Sequence, residues 1–193
     1  MSLPFSLKYS AGPLFVALCS VVAFFLEPMS GNYLTYDRYA IQGLETWRIV
    51  SGNIVHTNGY HLLLNLAGLA LLWALHGEHY RIGLYLKVFV WCCLGTSVGL
   101  YFFSPDLIWY AGLSGALHGI FAWGACVDIK EKMKSGWLLL VGLAIKVGYE
   151  QIDGSSEQVA NLIDAKVAVD AHLFGALTGI VIFLLMYITA KRK

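Results

Sequence analysis

Residues 168–190 read AVDAHLFGALTGIVIFLLMYITA, an apolar run with one acidic residue and one histidine near its start. About 20 mostly apolar residues are enough for a helix to cross a bilayer. The rest of the chain has the same character, because 58% of its 193 residues are hydrophobic and only 13% are charged. An average soluble domain has about a quarter charged residues, so the sequence predicts a membrane protein.

Six segments have the length and composition of membrane helices. They lie at residues 11–27, 60–76, 82–103, 113–128, 136–150 and 168–190. The fourth and fifth are short and rich in glycine, alanine and polar residues, which is typical of helices enclosed by other helices. We therefore predict an all-α bundle of six transmembrane helices that forms a single domain over residues 1–193. No small-residue cleavage pattern follows the first run, which is expected to remain as a helix.

The basic residues predict the direction of the spans, since cytoplasmic loops are enriched in lysine and arginine. With a cytoplasmic N-terminus, eight basic residues fall in cytoplasmic segments, and these are Lys8, Arg81, Lys130, Lys132, Lys134, Lys191, Arg192 and Lys193. Only three fall in outer segments, and these are Arg38, Arg48 and Lys166. Both termini are therefore predicted to be cytoplasmic, and the even-numbered spans run inward. The net charge of +1 gives no support for a nucleic-acid partner.

Polar side chains inside spans are costly in lipid and indicate a functional site. The second span begins with His61 and Asn65, the fourth with Ser114 and the sixth with His172. At a rise of 1.5 Å per residue, these residues lie within about 10 Å of the outer ends of their helices. A lone serine or histidine commonly has only a structural role, but separate structural causes would not place all four at one depth.

Small-xxx-small pairs, which let helix backbones approach closely in lipid, occur in the fourth and sixth spans. They are Gly115 with Gly119 and Gly175 with Gly179. His172 shares a helix face with the second pair, and Ser114 directly precedes the first pair. The pattern therefore predicts a hydrogen bond between Ser114 and His172 across the contact of the two helices.

A serine and a histidine in contact are what acyl transfer requires. The hydroxyl becomes a good nucleophile when an adjacent base removes its proton, and a neutral imidazole suits that role near pH 7. The tetrahedral intermediate needs hydrogen-bond donors aimed at its oxyanion. The Ser114 N–H at the start of a helix is one candidate donor, and His61 and Asn65 are others.

Four motifs occur in order along the chain. They are Glu45-Thr-Trp47-Arg48, the spacing H-x4-H-x3-N at His56, His61 and Asn65, the sequence Gly112-Leu-Ser114-Gly115, and Ala171-His172-x-x-Gly175-x-x-x-Gly179. In these motifs the chain resembles the rhomboid intramembrane serine proteases over most of its length. The resemblance implies a catalytic dyad without a third acid, with Ser114 as nucleophile and His172 as general base. It also implies an oxyanion site around His61, Asn65, Gly112 and the Ser114 backbone, with His56 in a supporting role.

A narrower resemblance is to the rhombosortases, a bacterial branch of this superfamily. It is carried by the short six-span chain, His118, Lys146, Glu150-Gln151 and Val-Asp-Ala-His at 169–172. The resemblance implies an enzyme of the bacterial inner membrane that has no cofactor and whose active site opens toward the periplasm. Its substrates would be exported proteins anchored by a C-terminal tail, in which a Gly-Gly motif precedes a hydrophobic helix and a basic cluster.

The roles of four further residues stay open. His118, one turn after Ser114, is a supporting residue or a competing base. Lys146 and Glu150 stand at i and i+4 and pair with each other, or they grip a substrate tail. Asp170 is read as a residue of the helix start, because a residue two positions before His172 does not share its face.

Other functional classes fit the sequence less well. A general rhomboid protease cutting single-span proteins and a non-catalytic rhomboid relative that binds helices are the main alternatives. A metalloenzyme would use His56, His61, His118 and His172, but no H-E-x-x-H motif is present and no metal is predicted. A small transporter is compatible with a buried Lys146–Glu150 pair, but it leaves the placement of Ser114 and His172 unexplained.

Overall fold

The computed structural model describes residues 4–191, which fold almost wholly into helices. Within this range the chain forms ten α-helices, which are α1 (Leu7–Phe25), α2 (Met29–Leu34), α3 (Arg38–Gln42), α4 (Arg48–Ser51), α5 (Gly59–His76), α6 (Ile82–Phe103), α7 (Ser114–Lys130), α8 (Lys134–Asp153), α9 (Glu157–Ile163) and α10 (Val169–Lys191). Short 3-10 turns at Gly52–Ile54 and Gly77–His79 lie before and after α5. The all-α prediction is confirmed.

Four helices of the described residues are long and apolar enough to cross a membrane. They are Leu7–Phe25, Gly59–His79, Ile82–Phe103 and Val169–Lys191, which correspond to the first, second, third and sixth predicted spans. The fourth and fifth predicted spans form α7 and α8, but α7 has only 17 residues and α8 carries four charged residues. The count of six spans and the cytoplasmic termini therefore stay predictions. Arg192 and Lys193, which contribute to the charge asymmetry, lie outside the described residues.

Helix α7 lies in the middle of the bundle and contacts α5, α6, α8 and α10. Its closest neighbour is α10. Gly175 lies against the carbonyl oxygen of Gly115, and Gly179 lies against that of Gly119. A Cβ atom at either position of α10 would overlap the oxygen that it faces. The absence of side chains thus lets the two backbones touch, and this contact holds together the helix ends that carry the serine and the histidine.

Helix α8 packs on α7 and α10 with one face and leaves large apolar side chains exposed on the other. The exposed residues are Trp137, Leu138, Val141, Ile145, Tyr149 and Ile152. A continuous apolar face of this kind suits contact with lipid, so the expectation that the fifth predicted span is enclosed by other helices is wrong. The charged residues Lys146 and Glu150 point the other way, toward α7 and α10.

Two arginines organise the long connection between α1 and α5. The guanidinium of Arg38 donates to four carbonyl oxygens at the end of α6 and just beyond it, those of Leu100, Tyr101, Ser104 and Leu107. Arg48 donates to the carbonyl oxygens of Thr35 and Asn32 and pairs with Glu45 at 2.6 Å.

A two-stranded antiparallel sheet completes this connection. In it β1 (Tyr36–Asp37) pairs with β2 (Trp109–Tyr110), with Tyr36 opposite Tyr110. The sheet ties the connection to the segment that leads directly into α7.

Candidate active site

Ser114 is the first residue of α7, and the backbone on both sides of it is held by three hydrogen bonds. The Tyr110 hydroxyl donates to the carbonyl oxygen of Gly112 at 2.7 Å and accepts from the N–H of Gly115 at 3.4 Å. The N–H of Gly112 donates to the carbonyl oxygen of Gly52 at 3.2 Å. These bonds fix the direction in which the chain enters α7, and hence the position of Ser114.

Gly112 has a φ of +119°, a backbone conformation that residues other than glycine rarely adopt. A Cβ atom here would also lie 2.6 Å from Nε2 of His61. The family resemblance implies a place for Gly112 in the oxyanion site, and in the structure its N–H donates to the carbonyl oxygen of Gly52. Its contribution in the structure is the space that it leaves for the His61 ring.

His172 lies in the first turn of α10, and its Nε2 atom is 3.1 Å from Oγ of Ser114. The ring is buried, with only 5% of the residue exposed. The two side chains come from helices that touch through glycines, so the short distance follows from the packing of α7 on α10. This is the serine–histidine contact that the sequence predicts.

The second ring nitrogen of His172 faces α8. Its Nδ1 atom lies 2.9 Å from Oε2 of Glu150 and 3.2 Å from Nζ of Lys146. Lys146 and Glu150 are themselves paired at 2.8 Å. The sequence predicts the pairing of Lys146 with Glu150, but nothing in its spacing indicates the contact with His172, which depends on how α8 is rotated against α10.

His118 stacks on His172, with ring centroids 4.1 Å apart and the ring planes 15° apart. Its Nδ1 atom is 2.6 Å from the carbonyl oxygen of Ser114, and its Nε2 atom is 2.7 Å from Nζ of Lys146. Both ring nitrogens are therefore engaged away from the Ser114 hydroxyl. This geometry favours the supporting role for His118 over that of a competing base.

His61 and Asn65 lie one turn apart on α5, on the other side of Ser114. Nδ1 of His61 is 3.0 Å from the Thr57 hydroxyl and 3.4 Å from the Thr57 N–H. The Asn65 amide donates one hydrogen to the carbonyl oxygen of His61 at 2.9 Å. An amide group has two hydrogens, so the second one remains for another acceptor.

Two cavities meet at Ser114 and His61. One, of about 310 Å³, has an apolar wall formed mainly by α5 and α7 and reaches His172. The other, of about 630 Å³, is more polar and is lined by residues of the loops and of β2 that include Asp106, Trp109 and Lys166. The serine can thus be reached both along the helices and from the loops at their ends.

The remaining predicted residues lie beside the pair. Asp170 accepts a hydrogen bond from the Ser104 hydroxyl at 2.5 Å, which places its carboxylate just beyond the end of α6 and agrees with a role at the helix start. His56 lies in the loop before α5 and packs edge-on against His61, with ring centroids 5.0 Å apart. Burial, and secondarily the neighbouring His61, lowers the pKa of His56 to about 3.

Ligand atoms of His118, Glu150 and His172 all lie within 4.8 Å of one another, a spacing that could hold a metal ion. However, the ammonium group of Lys146 contacts one nitrogen or oxygen atom of each of these three residues. The cluster as arranged therefore surrounds a cationic side chain, and a metal ion would have to displace it.

A mainly helical chain with long apolar helices and a partly buried serine–histidine contact is a multi-pass membrane protein with the side-chain arrangement of a serine hydrolase. The family model of the Rhomboid domain matches residues 43–189, more than half of the chain. The chain belongs to the rhomboid family, whose members are intramembrane serine proteases that act on membrane-protein substrates. A search of curated proteins finds no match.

Proposed function

We propose that this protein is an intramembrane serine endopeptidase in which Ser114 is the nucleophile and His172 the general base. The observation that carries the proposal is the 3.1 Å contact between Oγ of Ser114 and Nε2 of His172, at the meeting point of two cavities. Membership in the rhomboid family supports the same reaction.

The reaction divides into acylation and hydrolysis. As Oγ of Ser114 attacks the peptide carbonyl carbon, its proton passes to Nε2 of His172. The tetrahedral intermediate collapses, the C–N bond breaks, and His172 returns the proton to the leaving amine. Water then attacks the acyl-serine ester while His172 accepts its proton. The bond between the acyl carbon and Oγ breaks, His172 returns the proton to Oγ of Ser114, and the carboxylic acid product leaves.

The oxyanion is stabilised from two sides. On one side is the N–H of Ser114, at the start of α7, where the helix dipole also favours negative charge. On the other side are the free amide hydrogen of Asn65 and Nε2 of His61. Nε2 of His61 donates in the tautomer in which Nδ1 accepts from the Thr57 N–H at 3.4 Å. In the other tautomer Nδ1 donates to the Thr57 hydroxyl at 3.0 Å, since that hydroxyl gives its own hydrogen to the carbonyl oxygen of Ile163.

For the membrane topology we propose six spans, with α7 enclosed by its neighbours, α8 at the edge of the bundle and both termini in the cytoplasm. The exposed apolar face of α8 supports its contact with lipid. The excess of lysine and arginine in the segments assigned to the cytoplasm supports the orientation. The chain would then lie in a bacterial inner membrane, with the site open toward the periplasm.

For the substrate we propose exported proteins held by a C-terminal tail with a Gly-Gly motif, a hydrophobic helix and a basic cluster. The apolar wall of the smaller cavity suits a hydrophobic tail. Glycine-rich sequence readily leaves the helical conformation, which exposes its carbonyl groups to Ser114. The basic cluster would remain at the cytoplasmic face, where positive charge is favoured.

The test is co-expression with a model substrate that carries such a tail, comparing the wild type with Ser114→Ala and His172→Ala. The proposal predicts loss of the tail with the wild type and an intact substrate with both variants. A wild type that leaves this tail intact but cuts a different single-span protein would support a general rhomboid protease. Cleavage by Ser114→Ala would contradict the proposed nucleophile.

A further inference from the structure

We propose that Glu150 is a positioning residue for the base, so that the site works as a Ser114–His172–Glu150 triad in which Lys146 ties the carboxylate to His118. This inference rests on the proposed function, and it departs from the dyad that the family resemblance implies. It is carried by the 2.9 Å contact of Oε2 of Glu150 with Nδ1 of His172, opposite the contact of Nε2 with Ser114.

The hydrogen-bond partners allow one consistent placement of the protons, which starts at the carbonyl oxygen of Ser114. A carbonyl oxygen only accepts, so Nδ1 of His118 must carry a hydrogen and donate to it. In the neutral ring, Nε2 of His118 then accepts from the ammonium group of Lys146. The same ammonium group donates to Oε2 of Glu150.

The remaining hydrogen bonds define the tautomer of His172. Because Glu150 as a carboxylate only accepts, Nδ1 of His172 carries the hydrogen and donates to Oε2. Nε2 is then unprotonated and faces the Ser114 hydroxyl, as a general base requires. Lys146 and the Nδ1–H of His172 are neighbours that donate to the same carboxylate oxygen, which accounts for their separation of 3.2 Å.

Two neighbours therefore fix the His172 ring in different directions. Glu150 fixes the rotation that points Nε2 at Ser114, and the stacked His118 ring fixes the plane of the imidazole at 4.1 Å. When the imidazole takes up the serine proton, its positive charge develops beside the Glu150 carboxylate. Such a charge pair acts strongly in a buried site, and the residue His172 is only 5% exposed.

The titratable groups around the base are few, and each comes from a helix that packs beside α10 or from α10 itself. His61 faces the same cavity from α5, His118 stacks on the ring from α7, and Lys146 and Glu150 reach it from α8. Asp170, on the helix of the base itself, is directed to Ser104. Glu150 is thus the carboxylate that contacts the base among the described residues.

Glu150→Gln is the first variant, measured as kcat and KM on a cleavable substrate in proteoliposomes. A glutamine can donate to Nδ1 and so favour the wrong tautomer of His172. The loss of the corresponding carboxylate contact in a serine protease lowers kcat about 10⁴-fold, and we expect a fall in kcat of about 10²–10⁴-fold with KM nearly unchanged. Glu150→Asp should recover part of kcat. Asp153→Asn, an exposed carboxylate on the same helix, is the matched control and should behave as the wild type.

A double variant distinguishes a positioning role of Glu150 from a purely structural role of its ion pair with Lys146. Lys146→Met/Glu150→Gln removes both charges, so it leaves no unpaired charge to unfold the protein. The proposal predicts that the double variant folds and that its kcat stays as low as that of Glu150→Gln. A double variant with the kcat of the wild type would overturn the proposal, as would a Glu150→Gln variant whose kcat is unchanged.

The same assay keeps this inference separate from the proposed function. Activity in the wild type and its loss in Ser114→Ala support the function whatever Glu150 does. Equal activity of the wild type and Ser114→Ala would contradict the function itself. Only the behaviour of the Glu150 variants, read against an active wild type, decides the triad.

Discussion

The His172 side chain is restrained by contacts at both ring nitrogens and on one ring face. Its two ring nitrogens face Ser114 and Glu150, and its ring face is covered by His118. A base that is restrained at each of these points loses little freedom when the reaction begins. The same contacts place Lys146 and Glu150, which would be costly on the lipid face of a membrane helix, on the inner face of α8.

Because His56 is buried, the stability of the folded protein is expected to depend on pH. Burial keeps its pKa near 3 in the folded protein, against an ordinary value of 6.5. Between these values the unfolded chain binds the extra proton, so lowering the pH through this window favours unfolding. The slope for one such group is at most about 1.4 kcal/mol per pH unit.

His56→Phe removes this titration and retains a ring that can pack on His61. We expect the unfolding temperature of the variant in detergent to vary less between pH 4 and pH 6 than that of the wild type, because it lacks one buried neutral histidine. The measurement is a thermal unfolding series over that range. An equal dependence of the unfolding temperature on pH in the variant and the wild type would contradict the lowered pKa of His56.

At the scale of helices, the contact of α7 with α10 positions the site. Gly175→Ala would drive a Cβ atom into the carbonyl oxygen of Gly115, so the helices must separate and His172 must move from Ser114. We expect a loss of about 1–3 kcal/mol of stability together with most of the activity. The control is Gly142→Ala on α8, where a Cβ atom meets nothing within 4 Å and the helix gains up to about 1 kcal/mol.

Thermal unfolding and the cleavage assay check this pair of variants. Equal stability and activity in the wild type and Gly175→Ala would mean that the close backbone contact does not position the dyad.

The sequence predicted the long helices well, because apolar composition and length are local properties. The predicted run 82–103 coincides with α6, and the others differ from their helices by a few residues at the ends. The first helix begins earlier than predicted, at Leu7, and includes Pro13. Helices α2 to α4, α9 and the β1–β2 pairing were not predicted, since they depend on contacts such as those of Arg38 with distant carbonyl groups.

The candidate site was predictable only to the extent that it follows from helix direction and motif spacing. These features place Ser114, His172, His61 and Asn65 at one end of the bundle. The contact of Glu150 with His172 depends on the rotation of α8 against α10, which no local pattern specifies. The signal that pointed toward it was the Lys146–Glu150 pair within an otherwise apolar segment.

For the whole molecule, the decisive question of topology is whether α7 and α8 cross the membrane. Six spans and four spans give the same orientation for the termini, but they place the α7–α8 connection on opposite sides. We predict that an introduced cysteine in Glu131→Cys is protected from an impermeant thiol reagent added outside intact cells, whereas Gln158→Cys is labelled. Labelling of both positions would contradict six spans. Of the four native cysteines, Cys92, Cys93 and Cys126 are buried and Cys19 is partly exposed, and the unsubstituted protein reports the background labelling.

The central claim, that Ser114 is a nucleophile activated by His172, is tested most directly by covalent capture. Purified wild-type protein and His172→Ala would be treated with a fluorophosphonate, and the modified peptide would be located by mass spectrometry. If His172 activates Ser114, one adduct forms on Ser114 in the wild type and its yield is strongly reduced in His172→Ala. An adduct on another serine, or equal labelling of Ser114 with and without His172, would contradict it.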